Sequence, residues 1–252
     1  MNIHLLTFGI NYVGTPYELR GCIPDSKRVI KRLKPYCKTA TMRTEHQCED
    51  ADEMLEEARK VRHRLDRDDL MVIHDSSHGT WKKTSDPSEP SGGNQGIVAR
   101  NMSVLWDDIM AAECADRAEG SFIFAIIDAC HPGSIQRGGL LRPRCIPYSR
   151  CKQRRDTPTG LQMRALDNCW GFHGAGDGPT DYCYDAEFKG KPAGAMTYFT
   201  LKALDEIKRG ATYRDWFRYV GGRNGKLPSD EYPQSPVLVG SDRNLRRPVP
   251  FI

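Results

Sequence analysis

Short apolar runs rich in β-branched and aromatic residues, set apart by stretches whose apolar positions recur at helical spacing, constrain this chain most. Such runs read as buried strands at Ile3 to Ile10, Leu70 to Ile73, Phe122 to Ile127, Cys169 to Phe172 and Val237 to Gly240. Helices are predicted from Pro24 and Asp25 through about Leu33, over Ala51 to Leu65, Val104 to Cys114 and Ala193 to Lys208, and around Tyr213 to Tyr219. Pro24 is tolerated in a first turn and Asp25 meets the positive end of the helix dipole. Met54, Leu55, Ala58, Val61 and Leu65 form one stripe, the pattern of a helix lying on a sheet. Thr80 to Gly96, polar and rich in Ser, Pro and Gly, is predicted to be an exposed loop. Strands alternating with helices imply an α/β fold, with a mainly parallel sheet covered on both faces. Ligands of such sheets collect at the carboxyl ends of the strands.

With 252 residues, 38% of them hydrophobic, the chain can bury one core without staples. Its nine cysteines are odd in number and contain no C-x-x-C pair, which argues against a disulfide framework or a zinc ribbon. No signal peptide is recognisable, and no apolar stretch approaches the roughly 20 residues of a membrane span. A reducing, cytoplasmic setting is expected, where one thiol can serve as a nucleophile. The net charge of +4 is local: Arg137, Arg142, Arg144, Arg150, Lys152, Arg154 and Arg155 fall in one stretch that holds no acid. Tyr148 is its one aromatic residue, so nucleic acid is not the expected partner.

Two strands end in polar residues that a fold does not require. Leu70 to Ile73 runs into His74-Asp75-Ser76-Ser77-His78-Gly79, and Phe122 to Ile127 into Asp128-Ala129-Cys130-His131-Pro132-Gly133. As parallel neighbours they would bring His78 and Cys130 to one edge. Thiol hydrolysis needs a thiolate, an imidazole to take and return a proton, and N–H groups aimed at the oxyanion. The amides of Gly79 and Cys130 are the candidate oxyanion donors. Residues two apart on extended backbone point the same way, grouping Ser76 with His78 and Asp128 with Cys130. A carboxylate beside the nucleophile would oppose thiolate formation, so Asp128 is better used in binding a cationic substrate side chain. His131, the next residue along, points away and is read as a loop or packing residue, and the other cysteines as ordinary thiols.

Several motifs occur in a recognisable order: Phe8-Gly9-Ile10-Asn11-Tyr12, Leu19-Arg20-Gly21-Cys22-Ile23-Pro24-Asp25, Ser76-Ser77-His78-Gly79-Thr80 and Ile127-Asp128-Ala129-Cys130-His131-Pro132-Gly133. With Gly194-Ala195-Met196-Thr197-Tyr198 and Ser235 to Ser241 they make the chain resemble the metacaspases and related bacterial caspase-like peptidases. The resemblance implies a three-layer caspase-like fold over residues 1–252, with a large-subunit-like region over residues 1–136, a basic linker over 137–160 and a small-subunit-like region over 161–252. It implies His78 as general base and acid, Cys130 as nucleophile, and Cys22, Asp25, Ser76 and Asp128 as the pocket for the residue before the cut. Two acids in that pocket imply protein or peptide substrates with Arg or Lys there. It also gives the basic stretch a role as an exposed connection that the enzyme cuts itself.

The sequence departs from the family pattern at Ser77, where glycine is usual, and at Pro132, where serine is usual. The acidic segment that many metacaspases use to bind activating calcium is here Gly92-Gly93-Asn94-Gln95-Gly96, although Asp107 and Asp108 match a later acidic pair. No metal ligand is assigned and no cofactor is required on this reading. Other readings of the same fold are a catalytically silent module that binds a regulatory partner, and a hydrolase of small amides.

Overall fold

In the computed structural model, which describes residues 1–84, 93–130, 142–152, 168–174, 182–221 and 225–252, the first half of the chain runs β1 (Ile3–Gly9), α1 (Cys22–Leu33), β2 (Thr39–Thr44), α2 (Ala51–Arg62), β3 (Leu70–Ser76), β4 (His78–Lys83), β5 (Gly93–Val98), β6 (Val104–Trp106), α3 (Asp107–Ala115) and β7 (Phe122–Asp128). The second half adds β8 (Arg142–Pro143), β9 (Cys169–His173), β10 (Tyr184–Phe188), β11 (Lys191–Gly194), α4 (Ala195–Glu206), α5 (Tyr213–Gly221), β12 (Val237–Val239) and α6 (Asp242–Leu245).

The main sheet has the order β12-β9-β7-β3-β1-β2, parallel throughout except for β12. Its strands read as continuous apolar runs because both faces are covered. Along β3, Leu70 and Val72 join one hydrophobic cluster while Met71 and Ile73 join the other, the period of two that a pleated strand imposes. Val29 of α1, Ala203 of α4 and Trp216 of α5 fill the first face, and the α2 stripe Met54, Leu55, Ala58 and Val61 fills the second. The α/β architecture with helices on both faces is therefore as the sequence predicts. No helix among the described residues is long and apolar enough to cross a membrane.

The structure corrects both ends of the expected loop over Thr80 to Gly96, whose residues 85–92 lie outside the described residues. β4 pairs antiparallel with β5, and β5 with β6, forming an arm of three strands. Pairing with neighbours, which a polar run does not advertise, stabilises it, and the Trp81 ring packs over Gly93 where a Cβ would overlap it. The expected helix from Val104 begins three residues later, because Val104–Trp106 completes that arm and α3 starts at Asp107. Ala193 belongs to β11 rather than to α4. β2, β10 and β11 were not legible as strands: β2 is half-buried at every position, so it lacks alternation. A third sheet, β11-β10-β8, stands beside the carboxyl ends of the main strands.

Candidate active site

Register places the two polar strand ends together. Ser76 of β3 is the partner of Asp128 of β7, so His78 and Cys130, two residues beyond each, leave adjoining parallel strands side by side. Both are buried. The N–H groups of Gly79 and Cys130 converge on one oxygen, the carbonyl of Arg144, at 3.0 and 3.3 Å. Those are the two amides expected to form an oxyanion hole.

The segment carrying Arg144 lies through this site as a strand. Pro143 pairs with Tyr184 and Arg142 with Asp185 on β10, Arg144 N–H donates to the Cys183 carbonyl at 3.0 Å, and Ile146 N–H to the Gly79 carbonyl at 2.9 Å. The basic stretch was expected to be exposed; residues 144–146 of it are buried instead. The reason is the Arg144 side chain, which is fully buried among acids. Its Nη1 donates to Ser76 Oγ at 2.7 Å and lies 3.3 Å from Asp128 Oδ2. Its Nη2 lies 3.0 Å from Asp25 Oδ2 and 3.2 Å from Asp185 Oδ1.

Each acid has hydrogen-bond partners besides the guanidinium. Asp25, in the first turn of α1, also accepts from Ser76 Oγ at 2.9 Å and Gly194 N–H at 2.7 Å. Asp128 accepts from the N–H and hydroxyl of Thr197, at 2.9 and 2.7 Å, from the first turn of α4. Burial pushes the Asp25 carboxyl up to about 7 against the pull of Arg144, with Asp128 adding to the rise. Burial works against the Arg144 charge as well, but Asp128, Asp25 and Asp185 together hold the guanidinium firmly protonated. Cys22, fully buried beside them, has its thiol pushed well up by burial and serves as an uncharged wall.

His78 is oriented by backbone. Its Nε2–H donates to the Tyr17 carbonyl at 2.7 Å, leaving Nδ1, which has no hydrogen-bond partner among the described residues, with a lone pair to receive a proton. Burial lowers its pKa to about 4, so it is a neutral base at neutral pH. The Tyr12 ring lies tilted at 49° against that of His78, 4.7 Å between centroids, and its hydroxyl accepts from the His78 backbone N–H at 3.0 Å. Ser77, the departure from the family pattern, spends its hydroxyl on Asp75 at 2.8 Å.

Cys130, Cys145 and Cys183 pack together in one buried cluster, and the Cys130 thiol lies 4.0 Å from the Cys183 carbonyl oxygen. Cys145 and Cys183 therefore line the site rather than standing apart from it; all nine cysteines are free. A cleft of about 480 Å³ opens beside them, lined by Tyr17, Leu19, Arg20, His78, Pro143 and Cys145. His131, Pro132, Gly133, Arg137, Arg154, Arg155 and Gly92 lie outside the described residues. At the head of α3, Asp107 and Asp108 offer two carboxylates, with the Asn94 amide donating to Asp108.

Sequence reasoning missed Arg144 and Asp185. The acidic pocket called for a cation, but only pairing across β8 and β10 shows which arginine supplies it.

The chain is similar to known proteins in family and in fold. A family model for the metacaspase, peptidase C14 domain, matches residues 4–137. The chain is 24% identical over 266 residues to Metacaspase-3 of Arabidopsis thaliana, covering 93% of this chain and 71% of that protein. It is 30% identical over 143 residues to Metacaspase-1 of Candida glabrata, covering 52% of this chain and 36% of that protein, so it spans little over a third of that relative. A crystal structure of a Geobacter sulfurreducens protein shares the fold, with a TM-score of 0.71 at 18% identity over 100% of this chain and 98% of that one.

Proposed function

Since the chain belongs to the metacaspase peptidase C14 family of caspase-like cysteine peptidases, we propose that it is an endopeptidase that cuts protein substrates after Arg or Lys, using Cys130 and His78, and that it processes itself at Arg144–Cys145. One observation carries this reading: the Arg144 carbonyl rests on the amides of Gly79 and Cys130 while its side chain fills the pocket formed by Cys22, Asp25, Ser76 and Asp128. A substrate about to be cut needs both features in one residue.

In the proposed reaction the Cys130 thiol gives its proton to His78 Nδ1 and the sulfur attacks the carbonyl carbon. The oxygen, now negative, keeps its two N–H donors, which were aligned before charge developed. The carbon–nitrogen bond then breaks, His78 returns the proton to the departing amine, and a thioester remains at Cys130. Water, deprotonated by His78, releases the acid. Until the bond at residue 144 is cut or the segment withdraws, Arg144 excludes other substrates. The cut would separate the large-subunit-like region from the remainder of the chain. Nine free thiols suit a reducing, cytoplasmic setting.

The test compares wild type with Cys130→Ala on peptides bearing Arg, Lys or Glu before the scissile bond. The expected result is cleavage of the Arg and Lys peptides by wild type alone. Equal cleavage by both proteins removes the mechanism, and indifference to the residue before the cut favours the small-amide hydrolase.

A further inference from the structure

The two terminal nitrogens of the Arg144 guanidinium have separate partners. Nη1 meets Ser76 and Asp128, from the main sheet, whereas Nη2 meets Asp25 of α1 and Asp185 of β10. Asp185 lies outside every motif that marks the family in this sequence. Its side chain is 4% exposed, and its two oxygens are fixed by backbone: Oδ1 accepts from Gly21 N–H and Oδ2 from Arg20 N–H, each at 2.8 Å. A carboxylate held this way is already oriented when a cation arrives. Glycine at 21 leaves it room, since a Cβ there would come within 2.7 Å of both Asp185 Oδ1 and Arg144 Nη2.

The geometry points to Asp185 as a specificity-determining residue that, with Asp25, holds the second nitrogen of a guanidinium and so makes the pocket favour arginine over lysine. This rests on the peptidase reading above and narrows its Arg or Lys class. A guanidinium is planar and presents several N–H groups in a fixed fork, so it can serve both pairs of partners at once. A lysine ammonium is a single nitrogen on a flexible stem; placed against Ser76 and Asp128, it leaves the Asp25 and Asp185 side without its cation, and the reverse placement abandons the other pair. Unmatched buried carboxylates disfavour the lysine complex. Discrimination then follows from what the wrong residue leaves unpaired.

The experiment measures kcat/KM of the full chain on two peptides identical except for Arg or Lys before the cut, for wild type and Asp185→Asn. Wild type is expected to favour Arg by roughly tenfold or more, the scale of one charge-assisted hydrogen bond. Asp185→Asn is expected to lower the Arg value and bring the ratio toward one, with circular dichroism and thermal unfolding like those of wild type showing that the variant is folded. Wild-type rates on Arg and Lys within about twofold overturn the inference and leave the peptidase reading standing, as does a ratio unchanged in Asp185→Asn. Wild type that cuts neither peptide removes the peptidase reading and this inference with it. Should Asp185→Asn fail to fold, inhibition of wild type by n-butylguanidine and n-butylamine decides: stronger inhibition by the guanidine supports the fork, and equal inhibition overturns it.

Discussion

The backbone N–H of Cys130 donates to the carbonyl oxygen of Arg144 at 3.3 Å, so the residue that carries the proposed nucleophile touches the backbone of the residue whose cation fills the acidic pocket. On the proposed reading, the chain in this form holds its own segment as a substrate would be held.

Arg144 is the cation that three buried carboxyl groups, Asp25, Asp128 and Asp185, share, and its loss should therefore destabilise the protein. Arg144→Ala is expected to lower unfolding free energy by about 3–5 kcal/mol, as removal of one partner from a buried ionic group does. N-acetylarginine amide should restore some of that stability by filling the pocket. Chemical denaturation with and without that ligand checks both; unchanged stability in Arg144→Ala contradicts the account.

Gly194 lies against the guanidinium, and a Cβ there would overlap Asp128 Oδ2 and Arg144 Nη1. Gly194→Ala should reduce kcat/KM on Arg peptides by at least about tenfold, the cost of losing one well-placed hydrogen bond to charge. Peptide kinetics on the purified variant check this.

With Arg144 seated, burial pushes the Asp25 carboxyl up to about 7 against the pull of the guanidinium, and an empty pocket lacks that pull, so its carboxyl lies higher still. It must ionise to pair with an incoming cation, so KM for Arg peptides should fall as pH rises from neutral into the alkaline range. In Asp25→Asn that step should vanish from the pH profile of KM.

For His78 the sign runs the other way. Its folded pKa, lowered to about 4, lies below the ordinary 6.5, so the unfolded chain binds more protons between these values. Stability from His78 is present above 6.5 and lost as pH falls toward 4. His74, buried and lowered to about 3, adds to the same loss. Denaturation at pH 7 and 4.5 should show a smaller acid loss in His78→Gln than in wild type.

Much of this was legible before any coordinates. The central strands announce themselves because both faces are buried, and the polar residues that end them, His78 and Cys130, stand out against the apolar runs. Asp25 and Asp128 were legible through family motifs. What could not be read depends on pairing between distant segments. The β4 and β5 arm is polar and Gly-containing, and its strand character comes from ladder bonds and Trp81. Arg144 is one of seven basic residues in an acid-free stretch, and nothing local separates it from the others; its burial follows from three acids contributed by α1, β7 and β10. Asp185 is selected by β10 lying against β8, which brings it to Arg144 from 41 positions further along the chain.

The most direct test is the intact mass of the purified full-length chain after incubation, for wild type and Cys130→Ala. The account expects wild type to yield fragments 1–144 and 145–252, and Cys130→Ala to remain whole. Cutting at another bond in place of Arg144–Cys145, or the same fragments from Cys130→Ala, would contradict it.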